Sequence, residues 1–341
     1  LIGAYEADVN SSNHFSADRF SAVIALGPDQ WANSDFWSSE ADVLIDIQFG
    51  LDGGTSFTDL IQGYVDNVSI DPVNGVVHIS GRDLAAALIE ARTQEAFSNR
   101  TSSEIATIFA NRHNLVPCVV KTTTPVGRFY QSDHESITLD RFSGARTEWD
   151  LLAYLARQED YDVFVNGREL CFQPVAQGSS IDQVLCPSDM IEIRLERALT
   201  LARNIRITVQ SWNSLQQMAF TESVNSTINP TSPCTTRGGA NLTQQYVLIR
   251  PNLTPDKALA LARQRLSELS RHERVIEFSM PGELALTPRS TILLDRTQTD
   301  FDQLYFVESI ERRFTPRTGF VQRVRASNSS PRTDSTLSTA S

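Results

Sequence analysis

The sequence predicts a mainly β chain in which two antiparallel β-barrels flank a small α+β module. Three observations carry that expectation. Strand-like alternation fills both ends of the chain with few helices between the strands, capped helices and one tight hairpin occupy residues 85–187, and a strand–turn–strand pattern near the start recurs near the end. Of the 341 residues, 40% are hydrophobic and 21% charged, close to the globular average, so neither wholesale disorder nor a collagen-like repeat fits. The longest apolar patches, such as Leu84–Ile89, fall far short of the roughly 18 residues of a membrane helix. No basic–apolar–small leader opens the chain, so a soluble protein without a membrane-spanning segment is expected.

The first unit expected is a β-barrel over residues 1–84. Arg19–Leu26 and Val43–Phe49 alternate as strands, the latter with Val43, Ile45, Ile47 and Phe49 on one face. Pro28 to Trp37 reads as a loop or short helix carrying two tryptophans. Leu60–Ile70 and Val76–Arg82 follow as strands, joined by Asp71-Pro-Val-Asn-Gly75, where proline presets φ and Asn-Gly supplies positive φ. Serial antiparallel strands of this kind make a barrel or a sandwich.

Residues 85–187 read as the α+β module. Leu84–Ala91 is a short apolar helix, and capping boxes at Thr101-Ser-Ser-Glu104 and Thr147-Glu-Trp-Asp150 open two more. The Asn166-Gly167 turn then joins Tyr161–Val165 to Arg168–Phe172, with Tyr161, Val163 and Val165 facing Leu170 and Phe172.

A second barrel is expected over 188–327. Its candidate strands are Ile191–Leu195, Asn204–Trp212, Gln245–Arg250, Val275–Met280, Thr291–Asp295, Leu304–Phe314 and Phe320–Ala326. A polar loop spans 221–243, and one helix at 254–271 is capped by Thr254, with Leu259, Ala262, Leu266 and Leu269 on its face. The Ser/Thr-rich residues 328–341 read as a disordered tail.

The internal repeat links the two ends. Tyr64-Val-Asp-Asn-Val-Ser leads into Pro72-Val-Asn-Gly75 and Val76-Val-His-Ile. Phe306-Val-Glu-Ser-Ile-Glu leads into Pro316-Arg-Thr-Gly319 and Phe320-Val-Gln-Arg, two residues longer before the turn. The pattern suggests two related barrels around a different module.

Charge argues against a nucleic-acid grip. Thirty basic residues face 41 acidic ones, for a net charge of -11, whereas phosphate binding needs a concentrated basic face. Only Lys121 and Lys257 are lysines. The cluster Arg312, Arg313, Arg317, Arg323 and Arg325 reads as a solvated or intersubunit hairpin face.

Catalytic constellations are missing. There is no Gly-x-Ser-x-Gly elbow, His-Glu-x-x-His pair, phosphate-binding glycine loop or dinucleotide fingerprint. His14, His78, His113, His134 and His272 are scattered and read as structural. Asp46, Asp52 and Gly53-Gly54 lack the ligand ladder of a calcium loop and read as strand and turn. Glu159-Asp160 is the best carboxylate pair, and reads as a solvated turn. Trp31, Trp37, Trp149 and Trp212 read as core or interface anchors. Cys118, Cys171, Cys186 and Cys234, spaced by 53, 15 and 48 residues, fit neither a zinc knuckle nor a disulfide framework and read as reduced, mostly buried thiols. No catalytic, cofactor-binding or metal-binding residue is therefore expected.

Several pieces occur in the order of a known family: Gly63-Tyr-Val-Asp66, Val76-Val-His-Ile-Ser-Gly-Arg-Asp83 with Leu84, Asn99-Arg-Thr-Ser-Ser-Glu104, Thr147-Glu-Trp-Asp-Leu-Leu152 and the hairpin ending Phe172-Gln-Pro174. The chain resembles tailed-phage baseplate hub proteins of the late control D family, which are themselves similar to the hub part of type VI secretion spike proteins. The resemblance covers most of residues 1–327, with the Ser-Gly-Arg-Asp-Leu block its most specific part. It implies two tail-tube-like barrels per chain and a non-enzymatic structural role in the virion tail baseplate. It also implies a homotrimer whose six barrels adapt a sixfold tail tube to a threefold central spike, with DNA passing through unbound. The implied partners are the spike, tail tube or distal tail proteins, and other baseplate proteins. No long β-helical spike follows residue 327, so the spike is expected to be another chain. The rival classes are a peptidoglycan hydrolase and a cell-wall glycan-binding protein, either acting through residues 85–187.

Overall fold

The computed structural model describes residues 3–29, 32–50, 56–93, 95, 97, 99–123, 125–126, 128–129, 136–137, 147–175, 181–198, 205–213, 218–228, 244–250, 253–271, 273–328 and 333–337. The chain is mainly β, with one large, chiefly antiparallel sheet, two small mixed sheets and five α-helices among these residues. Two compact units emerge. The first comprises Leu1–Gln177, Ser279–Arg289 and Glu308–Val324, and the second Gly178–Phe278, Ser290–Val307 and Arg325–Ser341.

The first unit opens with β1 (Ala4–Ser12), β2 (Arg19–Ala25), α1 (Ser34–Ser39), β3 (Leu44–Phe49), β4 (Thr58–Asp71) and β5 (Val76–Asp83). Its later segments include most of β18 (Leu304–Thr315) and β19 (Gly319–Asn328). The strands lie in the order β19-β18-β1-β2-β5-β4-β3. Register aligns Val9 with Phe20, Phe20 with Gly81 and Gly81 with Val65. The period-two alternation therefore buries Ala22, Ile24, Val77 and Ile79 with Trp37, and Phe20 with Val9 and Ile61, and sends Ser21, His78 and Ser80 to the opposite face. Strand β1 was not among the expected elements, although Tyr5, Ala7 and Val9 alternate with Glu6, Asp8 and Asn10. It is held between β2 and β18 by its backbone.

Among the described residues the sheet does not close into a barrel through hydrogen bonds: β3 ends the pairing path. Side chains bring the β3 edge back against β19 instead. Phe49 of β3 stacks on Phe320 of β19 at 3.9 Å between ring centroids and lies 5.7 Å from Phe314 of β18.

The repeat appears as two hairpins with matching turns. Gly75 and Gly319 both take positive φ, +64° and +71°. Four residues earlier, Asp71 Oδ1 accepts from the Val73 and Asn74 amides at 3.0 Å, and Thr315 Oγ1 accepts from the Thr318 amide at 3.1 Å. These hydrogen bonds hold the Asp71 carboxyl below its ordinary range.

The unit continues with α2 (Ala85–Glu90), α3 (Ser102–Arg112), β6 (Val116–Val119), β7 (Arg128–Phe129), β8 (Ser136–Ile137), α4 (Glu148–Glu159), β9 (Tyr161–Asn166) and β10 (Glu169–Pro174). Both predicted capping boxes form reciprocally, Thr101 with Glu104 and Thr147 with Asp150. Val163 pairs with Phe172 and Val165 with Leu170, as the hairpin pattern requires. These four side chains, with Ile105, Phe109, Leu152 and Leu155, form a continuous buried core. Glu148 is buried at the start of α4, where Arg112 and His113 both bond its carboxylate, the latter at 2.6 Å.

The second unit contains β11 (Gln183–Leu185), β12 (Glu192–Arg197), β13 (Ile205–Asn213), β14 (Met218–Ile228), β15 (Gln244–Ile249), α5 (Pro255–Arg271), most of β16 (Arg274–Pro281), β17 (Thr291–Leu294) and β20 (Thr333–Leu337). One sheet runs β15-β13-β14-β20, its first pair parallel. Ala258, Ala262 and Leu266 of α5 bury against Ile205, Ile207, Val209 and Val224, so the predicted helix face is the packed one. The polar loop expected over 221–243 is corrected in its first part. Residues 221–228 belong to β14, because paired neighbours on both sides satisfy a Ser/Thr/Asn-rich backbone that has little strand pattern of its own. The rest of that loop lies outside the described residues. Strand β20 likewise falls inside the stretch expected to be disordered. No helix among the described residues is long and apolar enough to cross a membrane.

Candidate functional site

The Ser-Gly-Arg-Asp-Leu block sits where β5 runs into α2, and each residue has a separate structural task. Gly81 lies inside β5 rather than at its end, with ordinary negative φ. Its requirement is space, since a methyl there would overlap the Tyr64 carbonyl oxygen and the Phe20 ring. Gly63 has the same relation to the Arg82 carbonyl across the ladder. The two glycines let β4 and β5 approach beside the bulge between Val65 and Asn67.

Alternation then parts Arg82 from Asp83. Arg82 forks onto Asp66 at 2.6 and 2.8 Å and reaches Glu90 at 2.5 Å, an exposed network that raises its own pKa. Asp83 turns inward, where its Oδ1 accepts from the Ala85 amide at 3.1 Å at the start of α2. Burial, and secondarily the Asp18 carboxylate, push the Asp83 carboxyl up to about 8. Burial raises Asp18 too, although the Ser12 amide donates to its Oδ1 at 2.9 Å. Between them lies a cavity of about 10 Å³, room for one water, lined also by Phe15, Val163 and Arg289. Arg289 is engaged elsewhere, paired with Asp162 and stacked on Phe164 at 3.6 Å. This cluster has two carboxyls beside one small cavity but no room for a substrate.

The polar face of the first-unit sheet is the second candidate. Glu6, Asp8, Ser21, Asn67, Ser69, His78, Ser80 and Arg313 line an open groove of about 310 Å³. Asp8 lies opposite Arg313, and its pKa is raised by burial and by Glu311. The groove can hold water and counterions against a charged wall.

The remaining sequence candidates do not converge on either place. His14 lies between β1 and β2, and His113 bonds Glu148. Glu159 accepts from the Ser102 hydroxyl at 2.9 Å, and Asp160 is a left-handed helix cap at φ +57°. Trp37 and Trp149 are buried, the latter donating to the Phe15 carbonyl at 2.8 Å, while Trp212 is half exposed. Asp46 is on β3, and His134, His272, Asp52, Gly53, Gly54, Trp31 and Cys234 lie outside the described residues.

The arginine cluster is corrected. Arg312 is buried and donates to the Glu283 and Leu286 carbonyls, because its position in β18 faces the core side. Arg313 faces the other way, and Arg323 lies 4.0 Å from Glu311. Sequence reasoning also missed that Cys118, Glu169 and Cys171 meet: 53 residues separate the two thiols, and only the β6–β10 pairing joins them.

No protein-family model matches the chain, and no curated protein matches it in sequence. Solved structures do match. A tail protein from Neisseria meningitidis has a TM-score of 0.67 at 14% identity, covering 95% of this chain and 92% of that one. The 43 kDa tail protein of prophage MuSo2 from Shewanella oneidensis gives 0.63 at 13% identity, with 96% and 95% covered. The E. coli c3393 protein, a type VI secretion component with structural similarity to the T4 tail proteins gp27 and gp5, gives 0.56 at 10% identity, with 96% and 73% covered. At these identities the fold is what is shared. The chain has, over nearly its full length, a fold seen in phage tail proteins and in a type VI secretion component.

Proposed function

We propose that the protein is the structural baseplate hub of a phage tail or phage-like injection system. It acts as a homotrimeric, non-enzymatic adaptor that joins a sixfold tail tube to a threefold central spike and encloses a DNA conduit. The observation that carries this reading is the nearly full-length likeness to tail proteins on both sides of the alignment. The two hairpins with matching Gly75 and Gly319 turns support two related tube-like barrels per chain, and the Phe49–Phe320 stack supports a sheet curled toward closure. Three such chains supply six barrels, and exposed strand edges find cover in the ring.

Light scattering on the protein co-expressed with its spike is expected to give three chains per particle. A stable monomer or dimer inside assembled tails would remove the adaptor role.

A conduit wall should repel phosphate, since each Arg or Lys contact would retain the passing strand. Three copies at -11 carry -33, and Glu6 and Asp8 give the polar groove acidic groups suited to such a wall. A low-salt gel shift is expected to show no retarded DNA. Retardation that fades steeply with added salt would contradict the repulsive wall, and Arg323→Glu would then identify the hairpin responsible.

A further inference from the structure

We infer that Cys118, Cys171 and Glu169 form a binding site for one soft or borderline divalent cation, of the zinc or cadmium class, on the sheet face turned away from the helices. The topology makes the site. Strands β6 and β10 run parallel, with Cys118 opposite Cys171 and Val116 opposite Glu169. Paired residues on neighbouring strands point to the same face, and residues two apart on one strand share it. Leu170 and Phe172 therefore enter the helix-covered core, while Glu169 and Cys171 join Cys118 on the reverse side. Their ligand atoms all lie within 4.8 Å of one another.

The donor set suits such an ion. Two thiolates and a carboxylate favour zinc and its soft relatives over magnesium or calcium, which take oxygen ligands. Burial is graded across the site: Cys171 is buried, Cys118 half-buried and Glu169 exposed. Three protein ligands, of which Glu169 is exposed, leave a fourth tetrahedral position to water. Without a cation Cys171 is a protonated thiol. Burial first, then hydrogen bonding to Cys118, pushes the Cys171 thiol up to about 12. Binding forms two metal–sulfur bonds and one metal–oxygen bond, releases both thiol protons to solvent and oxidises nothing. The Arg289 guanidinium, close enough to act on Cys171, offsets part of the resulting negative charge.

The test is a cadmium titration of the full, reduced, chelator-treated chain, followed by the ultraviolet thiolate-to-cadmium absorption. One equivalent is expected to bind with the absorption of two thiolates. Cys118→Ser, at a half-buried position that spares the core, should lose at least half of that band and weaken binding at least about 10-fold, a loss that even an outer-shell partner can produce. Glu169→Gln, at an exposed position, should keep the band and weaken binding, while Cys186→Ser should change neither. Titrations of the wild type and Cys118→Ser that coincide would overturn the site. So would alkylation showing Cys118 and Cys171 already joined as a disulfide before reduction.

Discussion

Gly81→Ala is expected to cost about 3 kcal/mol or more in unfolding free energy, while Gly75→Ala costs about 1 kcal/mol. Both residues belong to the β4–β5 hairpin, but for different reasons. At Gly75 the space is open and only the positive φ of +64° resists a side chain. At Gly81 the backbone conformation is ordinary, and the added carbon would overlap a main-chain oxygen of Tyr64 and the Phe20 ring. A ring can rotate, but a carbonyl in the middle of a ladder moves only if β4 and β5 separate, and that ladder continues through β2 to β1. Denaturant midpoints of the two variants measure the difference directly. If Gly81→Ala unfolds at the wild-type midpoint, close approach of the strands is not what the glycine provides.

Replacing Asp83 by asparagine is expected to flatten the pH dependence of stability and to stabilise the protein at alkaline pH. An unfolded aspartate titrates near 3.9, whereas burial and Asp18 push Asp83 up to about 8. The folded state thus binds the proton more tightly than the unfolded chain. The stability this contributes is complete below about pH 4, declines as pH rises and is lost by the time pH passes about 8. Over that window the wild type should lose about 2–5 kcal/mol from this pocket, with Asp18 and Asp83 titrating as a coupled pair. Asparagine keeps an oxygen for the Ala85 amide and has no charge to bury. Thermal unfolding from pH 5 to 9 should show the variant gaining on the wild type up to about pH 8 and holding that gain above it. Parallel curves would mean that Asp83 ionises without cost, through water entering the cavity beside it.

These two positions show how local and tertiary information divide. The turn at Gly75, the capping boxes at Thr101 and Thr147, the Asn166-Gly167 hairpin and the Leu259–Leu266 face of α5 all follow from residues within a few positions of one another, where sterics and single hydrogen bonds decide the conformation. The sequence by itself therefore determined the mainly β character, the helices and most strands, and its ordered motif blocks pointed to the fold shared with phage tail proteins. The alternation of Tyr5, Ala7 and Val9 did not by itself tell which strands flank β1, which come from both ends of the chain, and the strand character of residues 221–228 was not legible. Only the tertiary structure decided which side of β18 Arg312 occupies, that Asp83 shares a small buried cavity with Asp18, and that Cys118 lies beside Cys171. Each depends on register between strands remote in sequence and on the water excluded when they pair. A one-residue slip reverses every side chain in a strand, so patterning within the strand can fix its alternation but not its partner.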